Sequence, residues 1–290
     1  MTVPLHALDP SRRIIRIAGS GTTAFLQSIL TANVETLPVG ECRPGALLTP
    51  QGRILADMMI CRREDEEFLL DCDATRTADL YTRLRRFRLR LPIDLECFET
   101  ATVWIIWNTD TAPSGAFADP RPGHLGWRWI GDAPAVAGEA GNLDDWHARR
   151  IIAGVPQGPV DLIPERALML EAGLDKIDAV DFSKGCYVGQ EVTARTHYRG
   201  LVKRRIAPLR IDTGCPQPGA EIRDEDSLLG AVLSVAPVEG GAVCLAAMKL
   251  SDLHRIMDTD TALTAGDYAA SLAVPDWMLP LPDPARTDSA

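Results

Sequence analysis

Asp181-Phe-Ser-Lys-Gly-Cys-Tyr-Val-Gly-Gln-Glu191 is the most informative stretch of this 290-residue chain. It places Cys186 among small, flexible and cationic neighbours, whereas a cysteine that serves only packing normally has apolar ones. Lys184 and the basic residues that follow position 194 favour the thiolate form of the sulfur. Gly185 and Gly189 bracket the cysteine and let another molecule approach it closely. Cys186 is therefore our best candidate for a reactive sulfur.

The same stretch is compatible with less specific roles. An isolated cysteine in a tight turn is often buried and inert. A cysteine protease needs a histidine base, and the nearness of His197 in the sequence is weak support for one. A stable iron–sulfur cluster needs about four ligands, so a single cysteine binds one only transiently or together with a partner. If residues 188–196 form a helix, Cys186 lies just before its N-terminus, where the helix dipole favours the thiolate.

Working outward, the first 70 residues predict a strand, a helix and a meander. Ile15 and Ile17 alternate as in a strand, and the helix that follows has an apolar face formed by Phe25, Leu26, Ile29 and Leu30. Thr49-Pro-Gln-Gly52 has proline and glycine at the positions typical of a tight turn between residues 46–48 and 54–60. A charged turn at 62–67 then leads into a third strand.

A second helix is predicted between residues 74 and 91, with Asp73 as its cap. Its apolar residues recur at helical spacing, and an arginine stripe runs beside them. The apolar positions are Leu80, Leu84, Phe87 and Leu91, and the arginines are at 76, 83, 86 and 90. The arginines are typical of a solvated helix face, and the sharper alternative is a cationic wall that faces a polyanionic ligand tail.

The remaining chain predicts more strands, one helix and a barrel. We expect strands near 94–98 and 102–107, a Pro/Gly-rich loop at 113–126, and a helix that Asn142 caps and that runs to Ala153. Short apolar runs at 201–211, 228–236 and 242–248, separated by glycine and proline, indicate a small all-β barrel. Three prolines after position 275, at 280, 282 and 284, predict a loosely held tail.

Composition restricts the compartment and the partners. The net charge of -10 argues against general nucleic-acid binding, which needs a basic surface. Seven scattered cysteines without a Cys-x-x-Cys pair indicate neither a disulfide framework nor a structural zinc, and we expect no permanently bound metal. No secretory signal and no apolar window of about 20 residues is seen, so the expected location is cytoplasmic, without membrane binding.

The cysteine segment also resembles a known signature. Lys184-Gly-Cys-Tyr-Val-Gly-Gln-Glu191, continuing into Thr193-Ala-Arg-Thr-His-Tyr-Arg-Gly200, is similar to the motif of the YgfZ-type folate-binding proteins, a branch of the glycine-cleavage T-protein superfamily. Phe25–Thr31 and Leu48–Asp57 resemble that family's first-domain helix and hairpin. The resemblance covers most of residues 11–250, and its motif residues are Lys184, Gly185, Cys186, Tyr187, Gly189, Gln190 and Glu191.

The resemblance implies an α+β fold with three domains around a central cavity and a small C-terminal β-barrel. The expected domains are 1–45 with 130–200, then 46–129, then the barrel at 201–275, and a flexible tail at 276–290. The family's cofactor is tetrahydrofolate or a derivative, held in the cavity with its glutamate tail toward basic residues. Candidate folate contacts are Asp57, Glu165, Tyr187, Arg195, Arg204 and Arg205.

The resemblance also ranks the functions. Aminomethyltransferases of the superfamily carry an Asp-Asp doublet where this chain has Ala56 and Asp57, so a single carboxylate remains as a catalytic candidate. The leading hypothesis is a folate-binding accessory protein for iron–sulfur cluster assembly or repair in client enzymes, including tRNA-modifying ones, with Cys186 and Lys184 at the site. It would not be a conventional enzyme, and its partners would be cluster-assembly or client proteins. The alternative is a tetrahydrofolate-dependent aminomethyltransferase or other one-carbon transferase, and an RNA-binding accessory ranks last.

Overall fold

A computed structural model describes residues 3–98, 101–134, 138–225, 227–259 and 261–284. The chain divides into two compact units. The first is made of Met1–Leu143 and Ile177–Gln190, and the second of Asp144–Lys176 and Glu191–Ala290. None of the helices in the described residues is long and apolar enough to cross a membrane.

The described residues of the first unit form two five-stranded sheets and two α-helices. One sheet has the strand order β3-β4-β5-β2-β6 and the other the order β10-β1-β7-β9-β8. The elements are β1 (Leu5–Leu8), β2 (Arg12–Ala18), α1 (Thr22–Ile29), β3 (Cys42–Leu48), β4 (Ile54–Glu64), β5 (Glu67–Asp73), α2 (Thr77–Arg88), β6 (Asp94–Phe98), β7 (Val103–Trp107), β8 (Phe117–Ala118), β9 (Trp127–Ile130) and β10 (Glu139–Ala140).

The hydrophobic core of this unit lies on one face of the β3-β4-β5-β2-β6 sheet. Because side chains alternate along a strand, Ile15 and Ile17 of β2 point to the same face, where both are fully buried. Phe25 of α1 and Leu80 of α2 belong to the same cluster. The helices therefore cover the apolar face, as the alternation and the helical spacing predicted.

The opposite face of this sheet carries buried charges. Arg12 of β2 and Arg128 of β9 each place a nitrogen 2.6 Å from a different carboxylate oxygen of Asp71, on β5. Arg128 also pairs with Asp119 at 3.1 Å, and Asp119 pairs with Arg121 at 2.7 Å. Since β9 belongs to the second sheet, this chain of ion pairs links the two sheets of the first unit.

The second unit is built around a closed six-stranded barrel. Its strand order is β11-β14-β13-β12-β15-β16, which confirms the barrel expected from the sequence. The elements are α3 (Leu143–Ile152), α4 (Gln190–Tyr198), β11 (Arg204–Ile211), β12 (Glu221–Arg223), β13 (Leu228–Val238), β14 (Gly241–Lys249), α5 (Leu250–Thr259), β15 (Leu263–Ala265) and β16 (Tyr268–Leu272). The first residue of α3 and the first residue of α4 belong to the first unit. Helix α5 was not expected from the sequence.

Several local predictions are confirmed. Strands β3, β4 and β5 form the meander, and the amide of Gly52 donates to the carbonyl oxygen of Thr49 at 2.9 Å in the predicted turn. Helix α3 ends where expected, with Gly154 at a φ of 71°.

The prediction that Asp73 caps α2 is wrong. Its carboxylate accepts a hydrogen bond at 2.8 Å from the amide of Thr75, in a turn before the helix.

The end of α2 differs from the prediction. The helix stops at Arg88, and only Leu80 and Leu84 of the four expected apolar positions are buried. Phe87 and Leu91 are exposed. Helical spacing indicates which residues would share a face but not where the helix ends, so the periodicity predicted too long a buried stripe.

Two features bear on the predicted domain limits. Strand β3 runs through position 45, and its sheet includes β2, so residues on both sides of that position share one sheet. In the region expected to be a tail, Trp277 donates from its indole nitrogen to the carbonyl oxygen of Ala153 at 2.7 Å, and Met278 is buried. Residues 285–290 of that region lie outside the described residues. The domain division stays a prediction.

Candidate functional site

Cys186 is the one cysteine of the seven whose side chain is exposed. Cys42, Cys61, Cys72 and Cys244 are buried, while the other two are partly buried. Burial raises the pKa of Cys72 to about 12 and that of Cys244 to about 12, so these two stay protonated at neutral pH. The exposure of Cys186 excludes the buried position that the sequence left open, and its reactivity stays a prediction.

The side chain of Lys184 points into the first unit. Its Nζ donates to the carbonyl oxygens of Leu30 and Ala32, each at 2.6 Å, and it lies 5.4 Å from the centre of the Tyr187 ring. Burial lowers the pKa of Lys184 to about 8, although the negative charges of Asp181 and Glu35 act in the opposite direction. Lys184 therefore anchors the cysteine segment to the loop after α1.

Asp181 fixes the start of the segment. Its Oδ1 accepts hydrogen bonds from the amides of Ser183 and Lys184, at 2.7 and 3.0 Å, and its Oδ2 accepts one from Asn33 at 2.8 Å. Burial works against the charged form, but these hydrogen bonds outweigh it and lower the pKa of Asp181 to about 2. The same loop is held by Thr31, which accepts from the amide of Asp181 through its carbonyl oxygen at 3.0 Å.

Tyr187 and Gly189 hold the other side of the cysteine. Tyr187 is buried, and its hydroxyl has no hydrogen-bond partner in the part of the chain that the structure describes. Burial, with the charge of Asp181, raises the pKa of Tyr187 to about 12. Gly189 has a φ of 81° and packs against the β3–β4 turn, whereas Gly185 has open space where a Cβ would lie. Gln190 and Glu191 begin α4.

Asp57 lies on β4, directly opposite Ala46 of β3, and is half-buried. The preceding Ala56 faces the hydrophobic core. Asp57 therefore points to the charged face of the sheet. Its negative charge helps to raise the pKa of Arg12, after the larger opposing effect of burial and the larger favourable effect of Asp71.

The second unit has a cavity of about 160 Å³ between the start of β11 and residues 161–172. Three arginines line it together with acidic and apolar residues: Asp161, Ile163, Arg166, Ala167, Leu168, Glu171, Ala172, Arg204, Arg205, Ile206, Leu233 and Ala247. Arg204 and Arg205, which are consecutive in the sequence, both line the cavity, and their role as folate contacts stays a prediction. Glu165, which is exposed at a φ of 61°, and Arg195, which is exposed on α4, are not among the lining residues.

Arg205 differs from Arg204 in its surroundings. Arg204 is exposed, whereas Arg205 is buried and donates from Nη1 to the carbonyl oxygen of Leu170 at 2.6 Å. Its Nη1 lies 3.6 Å from the carboxylate of Asp175, and its Nε has no partner in the described ranges. Burial lowers the pKa of Arg205, against the effect of Asp175. The Nη1 group of Arg205 thus holds the segment that contains Leu170 and Asp175.

Sequence reasoning missed the residues that hold the segment in place. Thr31 and Asn33 contact residues 148 positions away, and nothing local in the sequence indicates those contacts. The buried charges of Arg12, Asp71 and Arg128 were also missed. Charged residues inside otherwise apolar strands, such as Asp71 in Phe68–Asp73, were the available signal.

The fold is that of the glycine-cleavage T-protein class. The structure matches the crystal structure of glycine cleavage system aminomethyltransferase T from Bartonella henselae with a TM-score of 0.74, over 95% of this chain and 86% of that one. At 17% sequence identity the match shows the fold alone. The expected α+β fold with a C-terminal barrel is confirmed.

Within that class, the chain is a protein with a GCVT N-terminal domain, matched over residues 11–105, and a CAF17 C-terminal beta-barrel domain, matched over residues 203–280. Its relatives include iron–sulfur cluster assembly factors. It is 32% identical to the mitochondrial assembly factor IBA57 of Mus musculus, over 72% of this chain and 66% of the relative. It is 29% identical to that of Homo sapiens, over 92% and 83%, and 35% identical to the homologue of Pyricularia oryzae, over 68% and 55%.

Proposed function

We propose that this protein is an accessory factor for iron–sulfur cluster assembly or repair, with Cys186 as its working thiol and a folate as its ligand. The exposure of Cys186 on a rigidly anchored turn is the observation that carries the proposal. The thiol is presented to solvent, while Lys184, Asp181 and Gly189 hold the backbone around it. The process in the proposal, iron–sulfur cluster assembly, is taken from the names of the relatives.

A thiol in this position can act on a partner's cluster rather than on one held by this chain alone. Cys186 contributes one thiolate ligand, and a stable cluster takes about four. The other ligands then come from the assembly or client protein that docks at the exposed turn. The factor handles the cluster as cargo during a transfer, and the clients include tRNA-modifying enzymes.

The residues of the second unit fit a ligand that carries carboxylates. Arginine recognises carboxylates through paired, charge-assisted hydrogen bonds, and Arg166 and Arg204 are exposed residues lining the same cavity. Bound tetrahydrofolate would supply a one-carbon carrier and a reducing pterin. We propose that Arg204 and Arg166 bind the carboxylates of the glutamate tail of this folate.

The proposed setting is the cytoplasm, as the sequence predicted, with folate and cluster proteins as partners. The relatives named above are mitochondrial proteins, and that location is theirs. Direct nucleic-acid binding is not part of the proposal because the net charge is -10. A tRNA-modifying client would contribute its own RNA-binding surface.

The test of the thiol is a complementation experiment in a host that lacks its own copy of the gene. Cys186→Ala should leave a cluster-dependent tRNA-modifying enzyme inactive, measured as the content of modified nucleoside in tRNA. Cys215→Ala, at a partly buried cysteine, is the matched control and should restore the modification. Full activity with Cys186→Ala, at equal protein level, would exclude a role for the thiol.

The folate part is tested separately by calorimetric titration of the purified protein with tetrahydrofolate. Arg204→Ser should weaken binding about tenfold or more, because it removes a charged carboxylate donor. Arg199→Ser, at an exposed arginine of the same unit, should leave the affinity unchanged. Equal affinities for the two variants would remove Arg204 from the site.

The second candidate is a tetrahydrofolate-dependent one-carbon transferase. The observation in its favour is that Asp57 is only half-buried on the charged face of its sheet, so a carboxylate remains where the superfamily resemblance placed one. Incubation with tetrahydrofolate and an aminomethyl donor, whose one-carbon unit already has the oxidation level of formaldehyde and which releases ammonia on transfer, separates the two functions. A transferase makes methylene-tetrahydrofolate over many turnovers and loses this activity in Asp57→Asn, whereas an accessory factor makes none.

A further inference from the structure

The end of α2 presents apolar side chains to solvent. Phe87 is 41% exposed, Leu89 81% and Leu91 43%, within five consecutive residues. Leu84, one turn earlier, is the last residue of the helix in the hydrophobic core. Scattered exposed apolar residues are ordinary, but a contiguous group on one short segment marks a surface for contact with another molecule. We name residues 85–91 the α2-end patch.

One residue of the patch, Leu89, has a backbone conformation that is unfavourable for its residue type. Leu89 directly follows the last residue of α2 and has a φ of 52°, a conformation that favours glycine and costs a leucine about 1–3 kcal/mol. The same leucine is the most exposed large hydrophobic residue among those the structure describes. Neither helix termination nor core packing explains a leucine here. A contact outside this chain does explain it.

Positive charge surrounds the apolar side chains. Five arginines lie between positions 83 and 90, and no acidic residue occurs from Leu80 to Ile93. Arg83 pairs with Asp79 at 3.0 Å, and Arg88 donates to the carbonyl oxygen of Ile93 at 2.9 Å. The other three are Arg85, which lies 5.9 Å from the centre of the Tyr81 ring, and Arg86 and Arg90, which have no hydrogen bond or ion pair with described residues. In a chain of net charge -10, this is a local reversal of sign.

We propose that the α2-end patch is a docking site for an acidic segment of a partner protein that carries apolar side chains. Exposed arginines around an apolar centre are the composition of a protein interface, in which arginine and aromatic residues contribute most of the affinity. The rim of arginines selects an acidic partner by charge complementarity. This proposal does not rest on the folate or on Cys186.

Two other occupants fit the patch less well. Single-stranded RNA binds to basic grooves with several stacking aromatic rings, whereas Phe87 is the one aromatic residue of the patch. A membrane surface binds a longer amphipathic helix with a continuous apolar face, and α2 has its apolar face in the core up to Leu84. Both occupants are outcomes of the test.

The test measures fluorescence anisotropy with a labelled 15-residue helical peptide, rich in glutamate and with two leucines one helical turn apart, added to the full-length protein. Leu89→Ser and Arg86→Glu should each weaken binding about tenfold or more, as expected for central interface residues. The matched controls are Val39→Ser and Arg63→Glu, at an exposed valine and an exposed arginine elsewhere in the first unit. They should bind as the unaltered protein does.

Further probes decide between occupants. A peptide with both leucines replaced by serine should bind at least about tenfold more weakly, and equal binding would contradict a role for the apolar centre. Tighter binding of a single-stranded RNA oligonucleotide or of phosphatidylserine vesicles, with the same sensitivity to Leu89→Ser, would overturn the proposal. So would no binding of the acidic peptide, or self-association in sedimentation that Leu89→Ser abolishes. The folate affinity and the Cys186-dependent complementation should be unchanged in these variants. A failure of this proposal can therefore be told apart from a failure of the proposed function.

Discussion

A Cβ atom on Gly189 would lie 2.6 Å from the carbonyl oxygen of Thr49. The two residues come from distant parts of the sequence, the cysteine segment and the β3–β4 turn, and they meet inside the first unit. Gly52 Cα would be 3.1 Å from the same Cβ. The turn Thr49-Pro-Gln-Gly52 therefore packs directly against the backbone of the segment that carries Cys186.

Gly189→Ala should destabilise the first unit by about 1–3 kcal/mol. The added methyl group meets a backbone carbonyl that cannot move aside easily, and the φ of 81° is unfavourable for alanine. The free energy of unfolding from chemical denaturation measures the effect. The rate at which Cys186 reacts with iodoacetamide should change as well, because the turn around the thiol must shift.

The matched control lies in the same motif. Gly185 has a negative or extended φ, and a Cβ there meets nothing within 4 Å. Gly185→Ala should leave the unfolding free energy within about 0.5 kcal/mol of the original value. If the two alanine variants are equally stable, the close approach of Gly189 to Thr49 does not exist in solution.

Much of the fold was predictable because it depends on local patterns. Alternation around Ile15 and helical spacing around Phe25 gave β2 and α1, and Thr49–Gly52 has the residues that its turn requires. The role of Lys184 was not predictable, since its acceptors Leu30 and Ala32 lie more than 150 positions away. A lysine two positions before a cysteine suggested a charge near sulfur, but the chain path directs its Nζ to backbone carbonyls instead.

Lys184→Met should reduce the unfolding free energy at pH 7 by about 1–3 kcal/mol. The change leaves the carbonyl oxygens of Leu30 and Ala32 buried without their donor. Lys203→Met, at an exposed lysine, is the control and should have little effect. A stable Lys184→Met protein would mean that water replaces the ammonium group at these carbonyls.

The stability of the original protein should also depend on pH in a way that the Lys184→Met variant lacks. The pKa of Lys184 is about 8 in the folded state against an ordinary value of 10.5, so the unfolded chain binds more protons between these values. Stability should therefore rise with pH from about 8 to 10. The difference between the two proteins in urea denaturation at pH 7.5, 8.5 and 9.5 checks the sign. A difference that falls or stays flat would contradict the lowered pKa.

Arg128→Met should destabilise the first unit by about 3–5 kcal/mol. The change leaves the carboxylates of Asp71 and Asp119 buried with fewer positive partners. Arg63→Met removes an exposed arginine 3.7 Å from Glu67 and should cost less than about 1 kcal/mol. Similar losses in the two variants would mean that the buried ion pairs contribute no more than a surface pair.

When acid is added, Arg128→Met should unfold at a higher pH than the original protein does. Burial alone would raise the pKa of Asp119, but Arg121 and Arg128 outweigh burial and hold it well below its ordinary value. A carboxylate with a lowered pKa contributes stability above its unfolded value and loses it as pH falls. Removal of Arg128 makes Asp119 easier to protonate. Circular dichroism between pH 6 and pH 2 measures the shift of the midpoint.

Leu89→Gly should stabilise the protein by about 1 kcal/mol, because glycine adopts a φ of 52° without strain and the lost side chain is almost fully exposed. Leu89→Ala keeps the backbone strain and removes the same exposed side chain, so its unfolding free energy should match that of the original protein. Both variants should bind the acidic peptide more weakly. A loss of stability in Leu89→Gly would show that this leucine serves the fold, whereas a gain in stability with a loss of binding means that it is kept for a partner.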